Sequence, residues 1–299
     1  MSPLLEALSE TGARVEASVP LSRHTTWKVG GPADFMAWVG STGVLAGILS
    51  VVRSRGVGSM VLGNGSNVLF SDDGYRGVVL RLSGELSGVS IEGERVHAGG
   101  GAGLGAAVEA AARAGLAGLE FAFGIPGTIG GAVMTNAGAF SSSVSDRLMS
   151  VETLGPEGES RTYESFEAGY REALVPDREV VVATVFDLAR DGAGEVRARM
   201  KESASARRAS QPGGATAGSV FKNPGGDHAG RLLDLCGLKG RREGGAWISE
   251  VHANFIVNDG SASASDIRTL MSLAAEEVFQ RFGVRLEPEV SLIGFEGRE

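Results

Sequence analysis

Three short glycine-rich loops constrain the fold more than any other feature of the chain. Glycine fills 46 of 299 positions, roughly 15% against an average near 7%. A residue without Cβ lets the backbone turn left-handed or press against another surface, so such clusters ask for a ligand or a second backbone. The first loop, Gly63-Asn64-Gly65-Ser66-Asn67, lies between the apolar runs Met60–Leu62 and Val68–Phe70. Its N–H groups, with Ser66 and Asn67 as side-chain donors, could form a nest for a pyrophosphate that needs no lysine. An ordinary hairpin turn explains the same residues equally well.

The second loop, Gly101-Ala102-Gly103-Leu104-Gly105-Ala106, formally matches the G-x-G-x-x-G/A dinucleotide fingerprint. That fingerprint also wants an acidic residue about 20 positions on, at the end of the next strand. Glu120 stands near that distance but runs at once into another glycine loop, so a tight strand-to-helix turn is the better reading. The third loop is Gly124-Ile125-Pro126-Gly127-Thr128-Ile129-Gly130-Gly131-Ala132, continuing through Asn136-Ala137-Gly138-Ala139-Phe140. It places four glycines in eight residues, and Glu120 is the one charge between Arg113 and Asp146. Such backbone suits contact with a large, flat, apolar object whose polar edge is met by N–H groups, and an isoalloxazine ring has that shape. Glycines serving helix–strand packing are the alternative.

Hydrophobic residues at 42% and charged residues at 21% exclude a disordered chain and a membrane bundle. A net charge of −8 and a pI near 5.2 argue against gripping nucleic acid or anionic lipid through the overall field. The single Cys236 excludes an internal disulfide and a cysteine-based zinc site, and His24, His97, His228 and His252 lack ligand spacing, so no metal is expected. The first residues carry Glu6 and Glu10 and no basic segment, unlike a secretory signal. The uncharged stretch Phe35 to Val52 is broken at Gly40-Ser41-Thr42-Gly43 and reads as strand, turn and helix, not as a membrane span. A soluble, cytoplasmic protein is expected.

At about 100–200 residues per domain the length suggests two domains, with one large α/β domain also allowed. Short strands are expected at Met60–Leu62, Val78–Leu82, Val89–Ile91, Val96–Ala98, Val151–Leu154 and Glu179–Leu188, with a helix at Leu104–Ala114. A helix over Glu195–Arg208 leads to a second unit starting near Gln211. There, Ile267, Leu270, Met271, Ala274, Val278 and Phe282 fall on one face of a helix Ser265–Phe282, with Ser265 as N-cap and Gly283 as stop, before a last strand Arg285–Ile293.

Six segments occur in a telling order: Val61 to Asn67, Gly124 to Gly131, Gly169-Tyr170-Arg171, Ala217-Gly218-Ser219-Val220-Phe221-Lys222-Asn223-Pro224, His252 to Asn258, and Leu286-Glu287-Pro288-Glu289-Val290. Together they resemble the UDP-N-acetylenolpyruvoylglucosamine reductase (MurB) family along nearly the whole chain. All three tyrosines precede Ser219, so the chain resembles the shorter, type II subgroup, which lacks a tyrosine-bearing insertion. The resemblance implies an α+β fold, with a vanillyl-alcohol-oxidase-type (PCMH) FAD-binding region over residues 1–195, its core about 20–190, and a smaller α/β substrate domain over 196–299. It implies FAD and NADPH as cofactors, a UDP-sugar enolpyruvyl substrate in peptidoglycan synthesis, a monomer, and no nucleic-acid or membrane partner.

Hydride attack on the β-carbon of an enolpyruvyl group leaves an enolate conjugated to a carboxylate, which needs charge stabilisation and an acid for the adjacent carbon. By the resemblance, Arg171 supplies the charge, Ser219 the proton, and Glu289 is the catalytic carboxylate; strand alternation alone would put Glu287 on the same face. Carried over likewise, Gly63, Asn64, Gly65, Ser66, Asn67, Ile125, Pro126, Gly127, Thr128, Gly130, Gly131, Gly138 and Arg171 hold FAD, and Tyr170, Lys222 and Asn223 hold substrate. Ala173, Ser291 and Phe140 stand where family members usually carry serine, arginine and tyrosine. A related FAD-dependent oxidase acting on an alcohol, or a non-catalytic nucleotide-binding module, would share the loops without needing Ser219 and Glu289 together.

Overall fold

The computed structural model describes residues 2–295 and divides the chain into two compact units that are not contiguous in sequence. The first comprises the chain up to Ala17, Phe35–Gly63 and Gly77–Ala206; the second comprises Ser18–Asp34, Asn64–Arg76 and the chain from Arg207. The sequence reading places a single boundary at 195/196, whereas two earlier segments also join the C-terminal part.

The first unit is built on two sheets. A five-stranded antiparallel sheet runs in the order Ser160–Tyr163, Leu148–Leu154, Val180–Asp187, Arg95–Gly99, Val89–Glu92. Its central strand, Val180–Asp187, is apolar on both faces, which is why it reads as an unbroken hydrophobic run. The alanine-rich helix Leu104–Arg113 buries Leu104, Ala107, Val108, Ala111 and Ala112 in a core shared with Phe186 and Val196. A second sheet orders Arg14–Pro20, Pro32–Val39, Tyr75–Leu82 and Ser59–Val61. Helix Thr42–Ser54, capped by Ser41, packs Leu45, Ile48, Leu49 and Val52 into a second core with Leu8, Ala37, Val78 and Leu80.

The second unit gathers a three-stranded sheet, Arg242–Glu243, Ala246–Ile248 and Ile256–Asn258, with helices Ala229–Leu235 and Ala264–Phe282. Trp27 explains why residues 18–34 belong here. It is fully buried in this core, its Nε1–H donates to the Ile256 carbonyl at 2.8 Å, and its own carbonyl accepts from Asn258 Nδ2 at 2.8 Å. Burying a large apolar side chain is worth about 1.5–3 kcal/mol, which favours holding this segment in the second unit's core. Residues 64–76 belong for a similar reason: Leu69 lies in the core, and Val68–Phe70 pairs in parallel with Ser291–Ile293.

Two expectations are corrected in this unit. The N-cap of the long helix is Ser263, in a reciprocal capping box with Asp266, and Ser265 lies inside the first turn. Gly283 ends the helix at φ +68°, as expected. The last strand covers only Ser291–Ile293; Arg285–Val290 is irregular apart from one bridge between Pro288 and Phe221, because Pro288 lacks the N–H a ladder requires.

Candidate active site

In the first unit, the second and third glycine loops meet each other and Gly63, the last residue before the rest of the first loop passes into the second unit. A Cβ on Gly63 would lie 2.6 Å from Thr128 Oγ1, so the end of the first loop's entry strand abuts the third loop. The second and third loops are zipped by backbone: Ile129 N–H to Ala102 at 2.8 Å, Gly130 N–H to Gly100 at 2.8 Å, and Leu104 N–H to Gly127 at 3.1 Å. The Leu104 N–H, which a dinucleotide fingerprint would offer to a pyrophosphate, is thus already committed to Gly127. Glu120 is not a ribose ligand of a βαβ unit either; it accepts from Gly118 N–H and from Arg199. The hairpin alternative for the first loop also fails, because Ser59–Val61 and Val68–Phe70 belong to different sheets.

The third loop answers both readings of its glycines. Gly130 serves packing, since a Cβ there would sit 2.9 Å from the Gly100 carbonyl. Gly124, Pro126 and Gly131 are instead exposed, within a stretch without charge, and Thr128 caps the short helix Ile129–Met134. An open, uncharged, glycine-dense surface beside Gly63 fits a flat ring system such as the flavin of FAD. Arg81, half-buried, donates to the Gly63 carbonyl; burial lowers its pKa, yet so strong a base stays charged at neutral pH.

Arg171 lies over the far end of the third loop. Its backbone is left-handed at φ +58°, and its guanidinium donates to the carbonyls of Gly138 at 3.1 Å and Asn136 at 3.4 Å while stacking on the exposed Tyr170 ring at 5.4 Å. Asn136, buried and itself at φ +38°, fixes this arrangement by donating to the Gly169 carbonyl and accepting from Ser145 N–H. Neither Asn136 nor Arg81 stood out in the sequence as a supporting residue, because each acts through a carbonyl distant along the chain.

The second unit brings Ser219, Glu289 and Asn67 together. Lys222 N–H donates to the Glu287 carbonyl at 2.9 Å and Glu289 N–H to the Val220 carbonyl at 2.8 Å, so the segments after Ser219 and before Val290 run antiparallel. Asn67 Nδ2 donates to the Glu289 carbonyl at 3.1 Å, and Asn67's own carbonyl accepts from Ser291 N–H. The two glutamates, equivalent under strand alternation, differ here. Glu287 is 77% exposed and faces Lys222 Nζ at 3.9 Å, whereas Glu289 is half-buried. Asn223 lends its Oδ1 to Ala229 N–H at 3.1 Å, which ties it to the start of helix Ala229–Leu235. Gly65 is a conformational requirement of the first loop: it sits at φ +62°, where a Cβ would collide with the His24 carbonyl. No cluster of His, Cys, Asp and Glu that could hold a metal occurs among the described residues, and no described helix is long and apolar enough to cross a membrane.

Known proteins resemble the chain over its whole length. Residues 33–163 match a family described as an FAD binding domain, and residues 210–293 match the C-terminal domain of UDP-N-acetylenolpyruvoylglucosamine reductase. UDP-N-acetylenolpyruvoylglucosamine reductase 2 of Symbiobacterium thermophilum is 40% identical over 98% of both chains, and the Heliobacterium modesticaldum reductase is 43% identical over 93% of this chain and 90% of its own. The crystal structure of the reductase (MurB) from Thermus caldophilus superposes with a TM-score of 0.83 at 39% identity, covering 94% of this chain and 99% of that one. With uncharged glycine loops of FAD type, a paired Ser219–Glu289 region in the second unit and this degree of identity over nearly the whole chain, the chain belongs to the UDP-N-acetylenolpyruvoylglucosamine reductase family.

Proposed function

We propose that the protein reduces UDP-N-acetylglucosamine enolpyruvate to UDP-N-acetylmuramate for peptidoglycan synthesis, with NADPH as reductant and FAD as carrier. The observation that carries the residue assignment is the antiparallel pairing of Val220–Lys222 with Glu287–Glu289, which puts Ser219 and Glu289 at one end of the same backbone contact. We assign flavin binding to residues 1–195 and substrate binding to 196–299. The loop residues Gly63–Asn67, Ile125–Thr128, Gly131 and Gly138 are assigned to the cofactor, with Gly130, packed on Gly100, shaping the same loop, and Tyr170, Lys222 and Asn223 to the nucleotide.

When bound, FAD supplies hydride from NADPH to the β-carbon of the enolpyruvyl group. The chain's own groups handle the charge and the proton. Arg171 stabilises the enolate and its carboxylate, a task suited to a permanent cation with a two-pronged donor fork. Ser219 Oγ donates a proton to the α-carbon, with Lys222 and Glu289 as the ionisable groups nearest in sequence and pairing. Glu289, half-buried, is the carboxyl that meets the enolate end; Glu287, out in solvent, is not assigned to it. The same reading takes the enzyme as a cytoplasmic monomer without nucleic-acid or membrane partners.

Incubation of the purified protein with NADPH and the enolpyruvyl nucleotide tests this directly by NMR. Vinyl protons should disappear as a lactyl methyl signal appears, in step with NADPH consumption. NADPH oxidation by oxygen alone, with the vinyl signals intact, would refute it.

A further inference from the structure

Backbone on the far side of the Ser219 segment is held by a side chain that no role above uses. Asn254, 3% exposed, brackets Phe221 completely: Phe221 N–H donates to Asn254 Oδ1 at 3.0 Å, and Asn254 Nδ2 donates to the Phe221 carbonyl at 2.8 Å. Val220 N–H adds a bond to the Asn254 main-chain carbonyl at 2.9 Å. Asn254 N–H is in turn accepted by His252 Nδ1 at 3.1 Å. That imidazole is wedged edge-on to Phe255 with centroids 4.9 Å apart, and a Cβ on Gly230 would meet its Cε1 at 2.6 Å.

A primary amide that pairs with both the N–H and the C=O of one residue acts as a one-residue strand partner. Both bonds go to Phe221, so a slip of the segment by one residue would turn that N–H and C=O away and break both. Register matters at this point because Gly218, at φ +80°, turns the chain immediately before Ser219, and nothing beyond its chain neighbours lies within 4 Å of where its Cβ would stand. Ala217 before the turn is buried and Ala215 is bridged to Asn258, so beyond the turn the placement of Ser219 depends on the residues after it. Those residues are clamped between Glu287–Glu289 on one side and Asn254 on the other.

We propose that Asn254 is a positioning residue for the reaction, setting the height of the Ser219 segment against Glu289, with His252 holding Asn254 from behind. The proposal rests on the roles assigned above to Ser219 and Glu289. A misplacement of about 1 Å at a reacting group can cost on the order of 10²-fold in rate, so a register-setting amide carries catalytic weight without touching substrate.

Double-mixing stopped flow on the flavin-loaded enzyme separates the two half-reactions, with Ser219→Ala as reference. For Asn254→Ala and Asn254→Ser, bleaching by NADPH should stay near the wild-type rate, while recolouring by the enolpyruvyl nucleotide should slow by about 10–10²-fold at saturating nucleotide. His252→Gln, which keeps an acceptor, should slow it less than His252→Ala. Amide exchange should rise at Val220–Lys222 and not throughout residues 207–295. If Asn254→Ala does not fold, Asn254→Ser and the His252 pair carry the same comparison. Wild-type recolouring in the Asn254 variants beside a slow Ser219→Ala overturns the proposal, as does equal loss of both half-reactions. Wild-type recolouring in Ser219→Ala itself would instead overturn the assignment of Ser219.

Discussion

At the residue scale, the two glutamates near the C-terminus show what side-chain surroundings add to a motif. Glu287 is exposed and paired loosely with Lys222, and Glu289 is half-buried with its main chain bonded on both sides to Val220 and Asn67. Glu289→Gln should therefore slow reduction of the enolpyruvyl nucleotide, and Glu287→Gln should leave it within about twofold, since exposed ion pairs contribute little. Ser219→Ala should lower that half-reaction by about 10²–10⁴-fold, the usual worth of a general acid, and leave NADPH-driven flavin bleaching intact. Collapse in Glu287→Gln with unchanged turnover in Glu289→Gln would move the carboxylate role. Among the glycines, Gly63→Val would drive a side chain into Thr128 and should reduce the ratio of flavin to protein absorbance in the purified sample; overpacking of this kind costs about 1–3 kcal/mol. Full flavin content in Gly63→Val would contradict the reading of these loops as a cofactor cradle. Arg171, Ser219 and Glu289 were legible only through ordered motifs. Asn136, Arg81 and Asn254 were not, because an amide or guanidinium on a distant carbonyl leaves no spacing in the sequence.

Element by element, periodicity was a good guide where one face is buried and a poor one where it is not. The strands at Val89–Glu92 and Arg95–Gly99 and the helices at Leu104–Arg113 and Ala264–Phe282 follow their hydrophobic patterns closely. The last strand fell short because Pro288 interrupts a run whose alternation otherwise looks regular. The cap of the long helix shifted to Ser263 because three serines, at 261, 263 and 265, offer the same hydroxyl, and only Ser263 has Asp266 at the third helical position to complete the box. Asp72 gives this helix a second anchor, accepting from Ala264 and Ser265 N–H at 2.8 and 2.9 Å. Ser263→Ala should lower stability by about 1 kcal/mol in urea unfolding, and Ser265→Ala by less. The reverse ranking would place the functional cap at Ser265 after all.

For the whole molecule, the part least legible in the sequence is the return of residues 18–34 and 64–76 to the C-terminal unit. Composition does not shift at those points; Trp27, Leu69 and Asp72 make the attachment through contacts some 200 residues away, on the order that only folding reveals. A pH-dependence follows from the same unit. Burial, with the nearby Lys239 charge, holds His252 below its ordinary pKa against the opposing pull of Asp234, and its Nδ1 accepts a hydrogen bond only while unprotonated. The unfolded chain takes up that proton near pH 6.5 and the folded chain only at lower pH, so stability should fall as pH drops below about 6.5 and level off once the folded imidazole is protonated. Unfolding midpoints measured across that range should be flatter for His252→Gln; identical slopes would remove His252 from the linkage.

The central claim, that one chain carries electrons from NADPH through a bound flavin to an enolpyruvyl nucleotide, is read most directly from visible absorbance under anaerobic conditions. The purified protein should be yellow, lose its colour on adding NADPH, and regain it on adding UDP-N-acetylglucosamine enolpyruvate. A colourless protein, or a reduced flavin that the nucleotide fails to reoxidise, would contradict it.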